Sequence, residues 1–323
     1  MYWASKDYQH IKLIDFDLEN HTTTYLDYEN DFKREKIIDA FTAENVFLVL
    51  SITPDNKLKF THFSNNGKNE NSIDLGTKNT ENGNSIDNHL ISAIFDFGLT
   101  KIDTDLFTPL YIATAKVKRY LKENTYVLSF DVKDETSLIS INLTDFSFKK
   151  EQFPFEKFEK KSGSNSFLHQ NILYQLTANS EALSLTGIDL KTKKTIETYR
   201  VNSSTEIDFK NTPLLQQSEN GKTRELKNTA KFLSKIDFEN VGISIYNTPN
   251  YNLFTIGGVR EVASGGNIAL GFGLTLGGIM GGVLIDPSAV MESGNIQTIY
   301  FESYFDKNFK HLNKPFRPLY IDA

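Results

Sequence analysis

The chain has 323 residues and no cysteine. That excludes disulfides, thiolate metal sites and Cys nucleophiles together. Over such a length, it also fits an exported protein that avoids stray thiols in an oxidising space. Methionine (3) and tryptophan (1) are scarce. A basic stripe is missing too. Lys149–Lys150, Lys160–Lys161, Lys191 to Lys194 and Lys116 to Arg119 each sit among Glu or Asp and read as solvated faces. With a net charge of −6, nucleic acid is not expected as a partner.

Motifs for chemistry are missing as well. The six histidines (His10, His21, His62, His89, His169, His311) never pair at i, i+4, so a zinc site is not expected. There is no G-x-S-x-G elbow and no glycine-rich loop ending in Lys-Ser/Thr. No metal and no cofactor is expected, and no catalytic residue is assigned. The first residues, MYWASKDYQH, carry no basic stretch followed by an apolar one. That opening and the PLYIDA ending read as cut edges of a longer precursor.

What the chain has is aromatic and β-branched wealth, with 25 Phe and 14 Tyr, which favours strands. Ile14, Phe16 and Leu18 alternate with Asp15 and Asp17. Val46 to Ile52 is an apolar run of the kind a buried strand shows. Thr53-Pro54-Asp55-Asn56 supplies turn chemistry, and Leu58, Phe60 and His62 alternate beyond it. The same grammar returns at Tyr126–Asp131 and Leu138–Leu143, at Ile172–Thr177 and Leu183–Leu190, and later at Leu253–Ile256 and Ile299–Tyr304.

Spacing adds order. Ile11 and Leu58, and likewise Ile139 and Leu185, stand one period in the forties apart, as propeller blades do. Ser166–His169, Ile172–Thr177, Leu183–Asp189 and Thr195–Val201 read as the four strands of one unit. One such sheet cannot bury both faces alone, so units stack. The expected fold is all-β: a propeller-like array of about five to seven weakly repeated blades in a single domain over 1–323. A large sandwich or barrel is the alternative. The gap from Leu58 to Ile139 breaks the period.

Residues 65–88 contain a repeated NSID and read as a long polar, Asn-rich loop. Ser72-Ile73-Asp74-Leu75-Gly76 resembles the start of an Asp-box turn of sialidase-type propellers, but Lys78 and Asn79 stand where Thr and an aromatic should close it. The family is therefore not carried over. Leu110–Leu121 has apolar spacing that allows one short helix.

Two Asp-x-Asp pairs, Asp15/Asp17 and Asp103/Asp105, each place two carboxylates on one face of a strand. Without further oxygen ligands they read as polar edges rather than cation sites. Phe146, Phe148, Phe153, Phe155 and Phe158 read as half-buried packing, with a contact surface as the minority reading.

The segment 262–294 differs from its surroundings. From Val262 to Ile285, 24 residues pass without a charge. Gly273, Gly277 and Gly281 follow Ala269 in a small-xxx-small ladder suited to a membrane helix. Leu270, Phe272, Leu274 and Leu276 instead follow period two. A helix over 268–285 would carry six glycines, at a cost of about 1 kcal/mol each. A strand or hairpin with one bulky and one bare face is therefore favoured. Leu270, Phe272, Leu274 and Leu276 are its possible partner or membrane contacts.

These features point to a non-enzymatic binding or scaffold protein, exported or associated with the cell envelope, that recognises a protein or glycan. A carbohydrate-active hydrolase or lyase on a propeller is one alternative. A membrane-inserting protein acting through 267–286 is another; membrane contact is not favoured.

Overall fold

The computed structural model describes residues 1–75, 87–218, 223–236, 240–261 and 296–315. Strands make up 55% of it and helices 7%, so the protein is all-β. Five sheets follow one another among the described residues; the first, second and fourth are plain antiparallel meanders of consecutive strands. The first holds β1 (Tyr2–Ala4), β2 (His10–Asp17) and β3 (Thr22–Glu29). The second holds β4 (Lys36–Ala43), β5 (Val46–Ile52), β6 (Leu58–Ser64) and β7 (Gly67–Ile73).

A longer passage follows, with α1 (Asp87–Phe97), β8 (Thr100–Ile102) and α2 (Leu110–Ala113). The third sheet is β9 (Val117–Lys122), β10 (Thr125–Val132), β11 (Glu135–Asn142) and β12 (Phe148–Pro154), with β8 added in parallel beside β9. The fourth runs β13 (Gly163–His169), β14 (Ile172–Ala178), β15 (Ala182–Asp189) and β16 (Thr195–Asn202) in simple order, as the sequence indicated.

The fifth sheet mixes its order. The hairpin β17 (Leu215–Ser218) and β18 (Thr223–Glu225) comes first in sequence, then α3 (Thr229–Leu233). After these come β19 (Val241–Asn247), β20 (Asn252–Glu261) and β21 (Ile296–Phe305), and the sheet reads β18-β17-β21-β20-β19.

The period marks equivalent strands. Ile11, Leu58, Ile139 and Leu185 fall in β2, β6, β11 and β15, each the strand before the last of its sheet. The long gap between Leu58 and Ile139 is the passage carrying α1, β8 and α2.

Face-to-face stacking explains the apolar runs. In β5, Phe47 and Val49 join the core shared with the first sheet, while Leu48, Leu50 and Ile52 join the core shared with the third. A strand between two sheets needs apolar residues at both parities, so alternation disappears. In the first sheet, Tyr2 stacks on Phe47 at 3.9 Å, facing the second sheet. The opposite face leaves Trp3, Phe16 and Tyr25 exposed.

The turns carry the expected chemistry. Asn56 and Lys133 adopt positive φ, 59° and 57°. Asn179 Oδ1 accepts from the backbone N–H of Glu181 and Ala182 at 2.9 Å each, an Asx turn between β14 and β15.

Three expectations are corrected. Residues 65–88 are not one loop, because Gly67–Ile73 pairs with β6 as an edge strand and a helix starts at Asp87. Pairing with β6 satisfies the backbone of that polar stretch, so its side chains need no burial. The helix read over Leu110–Leu121 stops at Ala113, and Val117–Lys122 is β9. There β-sheet pairing with β10 outweighs a weak helical spacing.

Lys116 to Arg119 is not a solvated face. Lys118 is fully buried and Arg119 nearly so. Lys118 Nζ lies 3.0 Å from Asp131 Oδ2. Asp131 also accepts from Thr136 Oγ1 (2.9 Å), Ser166 N (2.7 Å) and Ser166 Oγ (2.6 Å). Four donors fill the carboxylate and tie the third sheet to the fourth. Burial pulls the Lys118 ammonium below its ordinary value, and the Asp131 charge opposes that pull.

Candidate functional site

Among the described residues, the fifth sheet has one covered face and one partly open face. Ile243, Ile245, Phe254, Ile256, Ile299 and Phe301 point into the core shared with the fourth sheet. On the other face stand Ser244 of β19, Thr255 of β20, and Thr298, Tyr300 and Glu302 of β21. Strand alternation produces this split directly from IQTIYFESYF.

The connection from β8 to β9 crosses part of the open face. It begins with a turn in which the Asp105 N–H donates to Asp103 Oδ1 at 3.1 Å. β8 ends at Ile102, so Asp103 and Asp105 lie in a turn rather than on one face of a strand. The connection then docks: Ser244 Oγ donates to the Thr108 carbonyl. Gly242 admits Thr114 so closely that a Cβ there would stand 2.6 Å from Thr114 Cγ2. Asn165 of β13 holds the far end, donating to the Thr114 and Ala115 carbonyls at 3.2 Å each.

What remains is a groove of about 300 Å³ between this connection and strands β17, β20 and β21. Phe107, Pro109, Leu110 and Tyr111 form one wall; Gln217, Ser218, Thr255, Ile296, Thr298, Tyr300 and Glu302 form the floor and the other wall. Phe107 is 41% exposed.

The floor is held firmly. The Glu302 N–H donates to Thr212 Oγ1 at 2.9 Å, and its carbonyl accepts from the Asn211 N–H at 2.8 Å. The backbone is thus locked while the side chain faces the groove. Burial raises the Glu302 carboxyl above its ordinary range, and no cation among the described residues pairs with it. Burial, and then the Glu302 charge, raise Tyr300. Tyr300 Oη donates to Gln217 Oε1 at 3.3 Å. Glu302 is the one carboxylate among the described lining residues. A glycosidase needs two, set across a scissile bond.

The other sequence candidates lie elsewhere. Asp17 accepts from the Glu19 and Asn20 N–H groups at 3.0 Å each, an Asx turn between β2 and β3. Asp15 bonds Asn65. No cluster able to hold a metal ion occurs among the described residues. His62 is half-buried against Phe146, and His169 is buried, both on strands. His311 Nε2 lies 3.0 Å from Asn211 Oδ1. Phe153 and Phe155 are buried and Phe148 is 39% exposed, as half-buried packing requires. Leu270, Phe272, Leu274 and Leu276, with the whole of 262–294, lie outside the described residues. Among the described residues no helix is long and apolar enough to cross a membrane.

Sequence reasoning found β21 but missed Tyr300 and Glu302 as site residues. The polar side of IQTIYFESYF was readable. The wall opposite it comes from a connection far away in sequence, which left no local signal.

No family model matches the chain, and no curated protein does. Among solved structures it is similar to TolB from Acinetobacter baumannii, at 8% identity and a TM-score of 0.24, over 97% of this chain and 56% of that one. The chain thus spans about half the length of that protein. It is also similar to the β-propeller domain of Cps50 (Swd1) from Myceliophteria thermophila, at 10% identity and a TM-score of 0.23, over 82% of this chain and 68% of that one. A prolyl endopeptidase matches at 9% identity and a TM-score of 0.25, over 77% of this chain and 28% of that one. Likenesses this distant say nothing about function. The class is defined by the sheets themselves: an all-β, propeller-like array of stacked blades.

Proposed function

We propose that the protein is a non-enzymatic binding or scaffold protein, and that the groove on the fifth sheet is its contact site for a protein or glycan partner. The observation that carries this reading is the partly open face itself. A rigid floor presents Tyr300 and Glu302 opposite Phe107 and Tyr111, with hydroxyl and amide groups between them. Aromatic rings beside a few fixed polar groups are what recognition surfaces concentrate. The connection that walls the groove is fastened to the sheets by Ser244 to Thr108 and by Asn165 to Thr114 and Ala115. Placement outside the cytoplasm is part of the proposal and rests on the absence of cysteine over 323 residues.

The test is a paired array of peptides and glycans probed with wild-type protein and with Phe107→Ala and Tyr300→Ala variants. The reading predicts binding that both variants weaken, with the bound molecules left intact. Release of cleaved sugar that Glu302→Gln abolishes would replace it with the hydrolase reading.

A further inference from the structure

Glu302 has an environment that a purely structural carboxylate lacks. It is half-buried, it faces the groove, and no ammonium or guanidinium among the described residues answers its charge. Directly opposite it on β20 stands Thr255, and across the floor stands Gln217. Tyr300 precedes it by two on the same face, and Phe107 and Tyr111 close the other wall. Other acids in the fold are treated differently. Asp131 has Lys118, Asp39 has Arg119 and Glu35 has Lys59.

A desolvated carboxylate without a counter-charge costs free energy that a ligand can recover. The recovering group must be cationic, and it should carry an apolar stem, because the groove is walled by rings. The carboxylate then accepts charge-assisted hydrogen bonds. The ring faces attract the same charge through their quadrupoles. The stem covers Leu110 and the aromatic walls. A neutral sugar offers hydroxyls to Gln217, Thr298 and Glu302 alike but brings no counter-charge to the carboxylate.

We infer that the groove receives a lysine or arginine side chain of a partner protein, held by Glu302 among Phe107, Tyr111 and Tyr300. The inference rests on the groove being the contact site, and it narrows the partner from protein or glycan to a basic protein segment. The chain's net charge of −6 favours the approach of such a segment.

The test uses the full-length protein and four probes: Ac-Gly-Lys-Gly-amide, Ac-Gly-Arg-Gly-amide, the uncharged norleucine analogue and cellobiose. Amide resonances of 107–111 and 296–302 are followed by NMR during titration. The lysine or arginine peptide should shift them with millimolar affinity. The norleucine analogue should not, and Glu302→Gln should weaken binding by about tenfold. Tyr300→Leu provides a second route to the same loss, and a melting curve for each variant shows that it is folded. Equal binding of norleucine and lysine peptides overturns the inference. So does cellobiose binding that ignores Glu302→Gln, although the groove then survives as a contact site. If no probe shifts either stretch, both the inference and the groove reading fail.

Discussion

Lys118 and Arg119 are neighbours on β9 and are buried on opposite faces of it. Lys118 pairs with Asp131 at 3.0 Å, on the side of the fourth sheet. Arg119 Nε pairs with Asp39 Oδ2 of the second sheet at 2.7 Å. Asp39 also accepts from Tyr126 Oη at 2.9 Å. Two consecutive cations therefore fasten one sheet to both of its neighbours. Desolvation offsets much of the attraction in buried pairs of this kind, so their expected part is to fix how the sheets meet rather than to add net stability.

Removing one partner should expose that balance. Lys118→Met leaves Asp131 charged and buried, with Thr136 and Ser166 still donating. The expected loss is about 3–5 kcal/mol. Adding Asp131→Leu to it should return part of the loss. Chemical denaturation of the single and double variants decides this. A double variant less stable than Lys118→Met would contradict it.

His169 sets a pH dependence. It is buried, and neither ring nitrogen has a partner among the described residues. Burial, and then the charge of Lys307, lower its pKa to about 4. Between the ordinary value near 6.5 and about 4, the unfolded chain binds the proton and the folded chain does not. Stability from this group is therefore full above pH 6.5 and is lost as pH falls towards 4, by roughly 3 kcal/mol in total. Denaturation midpoints at pH 7.5 and pH 5 should differ in that direction, and His169→Phe should flatten the difference. An unchanged slope in the variant would assign the effect to other groups.

Gly257 and Gly242 are two of the glycines that mark close approaches. A Cβ on Gly257 would stand 1.9 Å from the Ile299 carbonyl oxygen, and one on Gly242 2.6 Å from Thr114 Cγ2. The first clash is with backbone and cannot relax by a rotamer change. The second meets a methyl, with Thr114 backbone next at 3.3 Å. Gly257→Ala should therefore cost more than Gly242→Ala, and both fall in the range of about 1–3 kcal/mol or above. Melting temperatures of the two variants test the order.

Much of the fold was legible because each local choice agreed with its neighbours. The run at Val46–Ile52 is β5 in full, and the four strands read between Ser166 and Val201 form the fourth sheet. Turn chemistry at Asn56 and Asn179 fixed where strands reverse. The illegible parts depend on long-range partners. Lys-Val-Lys-Arg-Tyr looks solvated until Asp39 and Asp131 arrive from other strands. The polar edge strand Gly67–Ile73 has no apolar face, so only its pairing with β6 reveals it. The groove was hidden for the same reason: Tyr111 and Tyr300 are brought together by docking of the β8–β9 connection on the fifth sheet.

The central claim is that a partner engages the open face of the fifth sheet. Hydrogen–deuterium exchange of the full chain, with and without the strongest binder from the arrays, measures this directly. Protection should gather in 107–111 and 296–302. Protection confined to 1–28, where Trp3, Phe16 and Tyr25 stand exposed, would place the contact on the first sheet and contradict the account.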